Sequence, residues 1–176
     1  SINIIRTQGD DNIHKPLDEI GGKAVFTSEL ENALLGHNID LAVHSLKDLP
    51  MNLMDDLIYV GSPGREDARD VFVSNKWKKI SEIPENGVIA TGSIRRKAQL
   101  LAHRPDLNVR GLRGNLQTRL RKLDQGEVDA VILAVAGLKR IQLKKRITEV
   151  LPMEWMLPAI GQGAIGIETR VGDEAT

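Results

Sequence analysis

The feature that most constrains the fold of this chain is a regular succession of apolar runs and amphipathic segments between residues 88 and 135. Each apolar run ends at a polar turn, and each amphipathic segment has the spacing of a helix. The last run, AVILAV, contains no polar residue. A β-α-β-α-β succession that ends in such a strand is typical of a parallel sheet covered by helices. The strands are predicted over 88–90, 107–112 and 130–135, and the helices over 94–103 and 116–123.

Two breaks in this pattern divide the chain into an outer and an inner part. The first is the turn Gly61-Ser62-Pro63-Gly64, and the second is bracketed by Pro152 and Pro158. An α/β domain inserted through two crossings is typical of two-lobed folds of the type II periplasmic-binding-protein kind, which close around a ligand in a cleft. We expect each lobe to hold a mostly parallel sheet flanked by helices, and a final helix over 138–150. The predicted divisions are lobe 1 over 1–64 plus 161–176, lobe 2 over 68–158, and hinges near 64–68 and 158–163.

Composition argues against several classes of function. Lys+Arg and Asp+Glu number 24 each, and a formal net charge of zero disfavours a general nucleic-acid or membrane binder. The absence of cysteine excludes disulfides, thiolate nucleophiles and cysteine-based metal sites within this chain. The four histidines lack the spacing of a zinc site, so no metal is expected. No apolar run has the length of a membrane span and no signal peptide is visible, so the cytoplasm is the expected location.

A second informative stretch is DLAVHSLKDLP at residues 40–50, where an apolar run ends at a polar tip. Ser45, Lys47 and Asp48 bring a hydroxyl, an ammonium and a carboxylate within four residues, and Pro50 closes the tip. Open α/β sheets place their chemistry just beyond the carboxyl ends of strands. For an isolated Lys-Asp pair, an ordinary solvated turn is the simpler interpretation, and the rest of the chain decides between the two.

Cationic and small polar residues follow all three predicted strands of the inner part. Because the carboxyl ends of parallel strands meet at one edge of a sheet, these residues are expected to form one anion-binding rim. Small residues at a helix start expose backbone N–H groups, and arginine forks match carboxylates or phosphates. No phosphate-loop or dinucleotide signature is present, so a ligand with several carboxylates is favoured. The rim residues are Thr91, Ser93, Arg95, Arg96, Arg113, Gly114, Asn115, Arg119 and Arg140.

Each member of this rim also has an ordinary structural interpretation. Arg95 and Arg96 fit a solvated helix start. Arg119 fits an ion pair with Asp124, and Arg140 fits a cation at a helix end. Only the joint pattern favours a ligand site.

Five stretches of the chain resemble the porphobilinogen deaminase, or hydroxymethylbilane synthase, family. They occur in the family order, along nearly the whole chain. They read VHSLKDLP at 43–50, TGSIRR at 91–96, LRGN at 112–115, AVILAVAGLKR at 130–140 and PAIGQGA at 158–164.

The resemblance implies a cytoplasmic transferase of tetrapyrrole (haem) biosynthesis. Such an enzyme joins four porphobilinogen molecules head to tail, with release of ammonia, on a covalent dipyrromethane cofactor, and frees the linear product by hydrolysis. Each pyrrole carries an acetate and a propionate, which agrees with a polycarboxylate ligand. No nucleic-acid or membrane partner is implied, and the full-length protein is expected to be a monomer.

The same resemblance assigns roles to individual residues. Asp48 is expected to be the catalytic carboxylate, which assists the loss of ammonia and stabilises the positive charge that develops. Lys23, Arg140 and Gln162 are the expected substrate-binding residues. The expected cofactor-binding residues are Ser45, Lys47, Thr91, Ser93, Arg95, Arg96, Arg113, Gly114, Asn115 and Arg119.

The chain departs from the family in what it lacks. The family attaches its cofactor to a cysteine in a C-terminal domain, and these 176 residues contain neither, so we expect this piece alone to be inactive. The family's N-terminal strand and helix are missing as well, and Ala24-Val25 stands where family members usually have Gly-Leu. Two other classes remain open: a non-enzymatic two-lobed anion-binding protein, and a phosphate-handling transferase, which needs a metal or phosphate loop that the sequence does not show.

Overall fold

A computed structural model of this chain describes residues 1–11 and 26–174, which form two units. Unit 1 comprises Ser1–Arg65 and Ala164–Thr176, and unit 2 comprises Glu66–Gly163. The helices are α1 (Gln8–Asp11), α2 (Ser28–Leu35), α3 (Ile94–His103), α4 (Leu116–Asp124) and α5 (Val135–Arg140). Short 3-10 helices cover Leu46–Asp48, Ile80–Glu82 and Lys144–Arg146. The strands are β1 (Ala42–Ser45), β2 (Leu57–Gly61), β3 (Asp70–Ser74), β4 (Val88–Ala90), β5 (Asn108–Arg110), β6 (Ala130–Ala134), β7 (Glu149–Val150) and β8 (Ile165–Arg170).

Unit 1 contains a three-stranded sheet in the order β1-β8-β2. Both pairings are antiparallel, so β8 lies between two strands that come much earlier in the chain. Helix α2 covers one face, where Leu34 packs with Ala42 of β1 and Leu57 of β2. The helix, β1 and β8 together position the segment that follows β1.

Unit 2 contains a five-stranded sheet in the order β5-β4-β6-β3-β7. Strand β4 runs parallel to both β5 and β6, whereas β3 runs antiparallel to β6 and β7. Alternate residues of β3 enter different cores, because successive side chains of a strand point to opposite faces. Val71 and Val73 join the core beneath α4 and α5, and Phe72 joins the core beneath α3. Helices therefore cover both faces of this sheet, and the α/β class is confirmed.

Two details differ from the sequence-based expectations. Neither sheet is mostly parallel: β8 returns between β1 and β2 in the opposite direction, so both strand pairs of unit 1 are antiparallel, and two of the four strand pairs of unit 2 are antiparallel as well. The expected helix over 138–150 is also wrong beyond Arg140: α5 ends there, and Gln142 takes a left-handed conformation at φ 59°. The chain then forms a 3-10 turn and strand β7, which pairs with β3.

Neither metal-binding clusters nor membrane spans are found in the described part of the chain. Across residues 1–11 and 26–174, no helix has the length and apolar character needed to cross a bilayer. Within the same ranges, no three His, Asp or Glu side chains converge in a way that could hold a metal ion.

Candidate functional site

Two helix starts lie side by side at the carboxyl edge of the parallel strands in unit 2. Strand β4 leads through Thr91-Gly92-Ser93 into α3, and β5 leads into α4. Ser93 is the N-cap of α3 and accepts a bond from the backbone N–H of Arg96 at 3.4 Å. Asn115 is the N-cap of α4 and accepts from the N–H of Thr118 at 2.8 Å. Because β4 and β5 pair in parallel up to Ala90 and Arg110, both turns reach the same edge of the sheet.

The turns themselves are held by local hydrogen bonds. The backbone N–H of Thr91 donates to the carbonyl of Arg110 at 3.0 Å, and the Thr91 hydroxyl accepts from the N–H of Ser93 at 3.1 Å. Gly114 has φ 104°, a conformation that favours glycine. Its carbonyl accepts from Nε of Arg119 at 2.8 Å, so Arg119 folds back on its own turn.

The expected alternative partner of Arg119 is engaged elsewhere. Asp124 accepts from Arg146 at 2.6 Å and from Asn75 at 3.0 Å. Arg113 and Arg119 are both half-buried at the rim, and Asn115 is exposed. The structure thus brings the predicted residues of these two turns together at one edge of unit 2.

Arg95 and Arg96, in the first turn of α3, converge on a carboxylate that the sequence analysis did not single out. Asp70, the first residue of β3, is completely buried. Its Oδ2 accepts from Nη2 of Arg95 and its Oδ1 from Nη2 of Arg96, each at 2.7 Å. Gln162 donates from Nε2 to the same Oδ1 at 2.7 Å. Three residues predicted to bind a ligand therefore share one buried anion.

The charge of Asp70 is stabilised by this arrangement. Burial alone would raise the pKa of Asp70. The charges and hydrogen bonds of Arg96 and Arg95 together outweigh burial, so the pKa lies below the usual range. The cluster carries two cations and one anion, and so keeps an excess of positive charge. Arg96 also donates to the carbonyl of Ile132 at 3.1 Å, which ties α3 to strand β6.

The same cluster joins the first and last segments of unit 2, residues 66–70 and 157–163. Gln162 donates to the carbonyl of Ala68 at 2.6 Å, and Arg140 donates to that of Gly163 at 2.7 Å. Arg95 also bonds the carbonyl of Leu157. A salt bridge of 2.7 Å links Lys139 to Glu66, and the hydrogen bonds from Lys139 and from the backbone N–H of Asp67 lower the pKa of the Glu66 carboxyl. Gln162 therefore joins the two segments directly, and Arg140 ties α5 to the last one.

Sequence reasoning missed Asp70, although a signal was present. An acidic residue that begins the apolar run Val71-Phe72-Val73 must either lie at the surface or find cationic partners when buried. The position of Asp70 at a buried strand was therefore a sign of a charged partner.

In unit 1, the predicted catalytic tip follows β1 directly. Ser45 ends the strand, and Lys47 and Asp48 lie in the short 3-10 helix, both half-buried. The backbone N–H of Leu46 donates to the carbonyl of Ala164 at 3.1 Å, and that of Leu49 donates to Leu46 at 3.3 Å. These bonds fix the backbone on both sides of the tip, so the three predicted residues lie together at the carboxyl end of one strand.

Beneath this tip lies a buried polar group. Nε2 of His44 is 2.8 Å from Oε2 of Glu168, and both side chains are buried. Glu31 of α2 accepts from the hydroxyl of Thr27 at 3.3 Å. Burial raises the pKa of the Glu31 carboxyl, and the charge of Glu168 raises it further. The His44–Glu168 pair therefore links β1 to β8 below the tip, and the charge of Glu168 reaches Glu31 of α2. Lys23, the remaining predicted site residue, lies outside the described residues.

Comparisons with known proteins give one family for the whole chain. The family profile described as porphobilinogen deaminase, dipyromethane cofactor binding domain, matches residues 1–176. A protein named porphobilinogen deaminase from Francisella tularensis subsp. tularensis (strain WY96-3418) is 54% identical over 172 residues, which cover 98% of this chain and 57% of the relative. Its namesake from subsp. novicida (strain U112) is 53% identical with the same coverage. The chain thus spans less than two thirds of the curated relatives it matches.

Solved structures with a similar fold are distant in sequence. A putative methionine-binding lipoprotein from Bacillus subtilis aligns with a TM-score of 0.57 at 17% identity, covering 84% of this chain and 71% of that one. A lipoprotein from Treponema pallidum aligns with a TM-score of 0.56 at 19% identity, covering 84% and 70%. At these identities the likeness concerns the fold alone, and it agrees with the expected two-lobed, periplasmic-binding-protein-like class.

Proposed function

This chain belongs to the porphobilinogen deaminase family, and from that membership we propose that it is part of a transferase of tetrapyrrole synthesis. The full-length protein would join four porphobilinogen molecules head to tail, release ammonia and deliver hydroxymethylbilane. The observation that carries the proposal in this chain is the cationic edge of unit 2. There, two capped helix starts and the arginines of α3 and α4 provide donors for a ligand with several carboxylates.

The donor set of unit 2 fits the dipyrromethane cofactor of the family. That group bears carboxylates, and the rim offers guanidinium, hydroxyl and backbone N–H donors. Arg95, about a quarter exposed, presents a guanidinium at this edge, whereas Arg96 is buried and its Nε has no hydrogen-bond partner within the described residues. When bound, the cofactor supplies the primer to which substrate pyrroles are added. We propose that Thr91, Ser93, Arg95, Arg96, Arg113, Gly114, Asn115 and Arg119 hold it, with Ser45 and Lys47 from unit 1.

In this proposal Asp48 is the catalytic group. A carboxylate held at the end of a strand can stabilise positive charge that develops on the substrate as ammonia leaves. It can also accept and return a proton if its carboxyl reaches the reacting atoms. The backbone bonds on both sides of the tip fix the main chain that carries this carboxylate, which supports the assignment.

Turnover would require more than these 176 residues. The chain has no cysteine, and in the family a cysteine carries the cofactor through a thioether. We therefore propose that the part of the relatives outside the match supplies the attachment, and that this chain alone is inactive. We further propose a cytoplasmic monomer without nucleic-acid or membrane partners. Its zero formal net charge supports the absence of nucleic acid as a partner.

The test uses a full-length protein that carries this chain, with porphobilinogen as the substrate. Asp48→Asn should reduce product formation by about a hundredfold or more, because the amide provides neither charge nor a titratable proton. Asp55→Asn, at an exposed loop position, is the matched control and should retain activity. The intact mass should exceed that of the chain by two linked pyrroles.

Two results would contradict the proposal. Near-normal turnover by Asp48→Asn would remove the catalytic role from Asp48. A wild-type protein that binds porphobilinogen without releasing ammonia, and that has no added mass, would favour a non-enzymatic anion-binding protein.

A further inference from the structure

One buried carboxylate of unit 2, Asp70, has no part in the function proposed above. None of its surface is exposed, so it cannot touch a ligand from where it lies. Yet its two oxygens receive three hydrogen bonds of 2.7 Å, from Arg95, Arg96 and Gln162. All three donors are predicted ligand-binding residues.

We propose that Asp70 is a positioning residue for the acidic ligand. Its carboxylate fixes the guanidinium groups of Arg95 and Arg96 in the orientations in which they meet ligand carboxylates. The inference rests on the proposed function, because that function makes Arg95 and Arg96 ligand-binding residues.

The two arginines differ in their hydrogen-bond partners and in their exposure. Arg96 donates from Nη2 to Asp70 and from Nη1 to the carbonyl of Ile132, so both terminal nitrogens of its guanidinium are held. Its Nε has no hydrogen-bond partner within the described residues. Arg95 is about a quarter exposed and gives Nη2 to Asp70. Arg96 is 5% exposed. Arg95, the more accessible arginine, also bonds the carbonyl of Leu157, and Asp70 is its charged partner.

Orientation has a direct effect on ligand affinity. Arginine recognises a carboxylate through a planar fork, so a misdirected guanidinium loses one of two parallel bonds. A free arginine must also lose rotamer freedom on binding, and a preoriented one has lost it already. The cluster remains net positive, so Asp70 orients the arginines without cancelling both charges.

The alternative is that Asp70 only stabilises unit 2. Removing one partner of a buried ion pair leaves an uncompensated charge and destabilises a protein strongly. A loss of stability alone therefore does not distinguish the two interpretations. The distinguishing quantities are the KM-against-kcat split and the chemical accessibility of the Arg95 guanidinium.

The experiment compares Asp70→Asn with wild type in a full-length protein carrying this chain, well below the unfolding temperature of both. The asparagine keeps the shape but not the charge. We expect the KM for porphobilinogen to rise about tenfold or more with a smaller change in kcat. We also expect phenylglyoxal, followed by peptide mass spectrometry, to modify Arg95 several times faster than in wild type. Asp124→Asn is the matched control: it also loses an arginine pair, with Arg146, and should change neither quantity.

A second variant keeps the inference testable if Asp70→Asn does not fold. Asp70→Glu retains the charge but displaces it by one methylene. We expect a smaller rise in the KM for porphobilinogen and a smaller increase in the rate of Arg95 modification. If the folded variants lose stability while KM and Arg95 modification stay at wild-type values, the positioning role is wrong.

The two proposals fail in different ways. If the wild-type protein does not consume porphobilinogen, the proposed function fails. Faster modification of Arg95 in Asp70→Asn would still support the positioning of that arginine, and unchanged modification would overturn it as well.

Discussion

Gly163 is the position at which one added methyl group should have the largest measurable effect on unit 2. Its φ is 90°, in the region that favours glycine. A Cβ built there would lie 2.3 Å from the carbonyl oxygen of Glu66, a backbone atom that cannot rotate away. The Gly163 carbonyl meanwhile accepts from the N–H of Glu66 at 2.9 Å and from Arg140 at 2.7 Å. The clash therefore acts on the bonds that join the first and last segments of unit 2.

The magnitude of the effect has two parts. A left-handed conformation costs a residue with a side chain about 1–2 kcal/mol. Overpacking in a close contact costs about 1–3 kcal/mol more. Gly163→Ala should thus lower the free energy of unfolding by about 3 kcal/mol, or the melting temperature by roughly 12–24 °C for a domain of the size of unit 2.

The matched control is Gly126→Ala, which separates the two parts. Gly126 has a comparable φ of 75°, but no atom lies within 4 Å of the Cβ position. Only the conformational part applies there, about 1 kcal/mol. Urea unfolding followed by tryptophan fluorescence suits both variants, because Trp77 and Trp155 are the two tryptophans of the chain and both belong to unit 2. Equal destabilisation by the two substitutions would refute the close approach of Gly163 to Glu66.

Two further predictions concern the ligand edge and pH. Ser93→Asp and Ser93→Asn both preserve an N-cap. Only the aspartate adds a negative charge, and like charges about 5 Å apart repel by about 0.8 kcal/mol in water and about 3 kcal/mol at an effective dielectric constant near 20. Ser93→Asp should therefore raise the KM for porphobilinogen from about fourfold to a few hundredfold above Ser93→Asn in the full-length protein. Equal KM values would place Ser93 outside the ligand site. The hydrogen bonds from Arg69 lower the pKa of Asp67 to about 2, so Asp67 stabilises the fold above its unfolded pKa and loses that contribution as pH falls towards 2. Because Arg69 is 44% exposed, the contribution should be about 1 kcal/mol or less. Urea unfolding should show Asp67→Asn less stable than wild type at pH 6, with a difference that shrinks as pH falls from about 4 towards 2, whereas a constant difference would contradict this assignment.

Local patterns predicted the helices that have both a cap and a periodic apolar face. The expected span 94–103 agrees with α3, since Ser93 caps its start and Leu100 lies fully buried in the core. These signals lie within a few residues of each other, so they can be read along the sequence.

The segment after Arg140 shows why other predictions failed. Its composition favours a helix, but Gln142 takes a left-handed conformation and Val150 pairs with Val71 on β3. Pairing with a strand some 80 residues earlier depends on the assembled sheet, and tertiary contacts override local propensity.

The candidate site was likewise predictable from the sequence only in part. Motifs indicated which cations belong to the rim, but not which acid they contact. With 24 acidic residues in the chain, the choice of Asp70 for Arg95 and Arg96 follows only from β3 lying beside β6 in the folded sheet. The antiparallel pairing in unit 1 was hidden for the same reason, since β8 comes more than a hundred residues after β1.

The central position of β8 has a consequence for the order in which the protein folds while it is being synthesised. Strands β1 and β2 do not pair with each other, and each makes its described sheet contacts through residues 165–170. During synthesis on the ribosome, these described pairings can therefore form only after β8 has emerged, and until then β1 and β2 carry the apolar Val43 and Ile58 without them. Unit 2 is continuous in sequence and does not contain β8, so it can fold before the sheet of unit 1 is complete. Any chaperone that attends this nascent chain should meet it at β1 and β2.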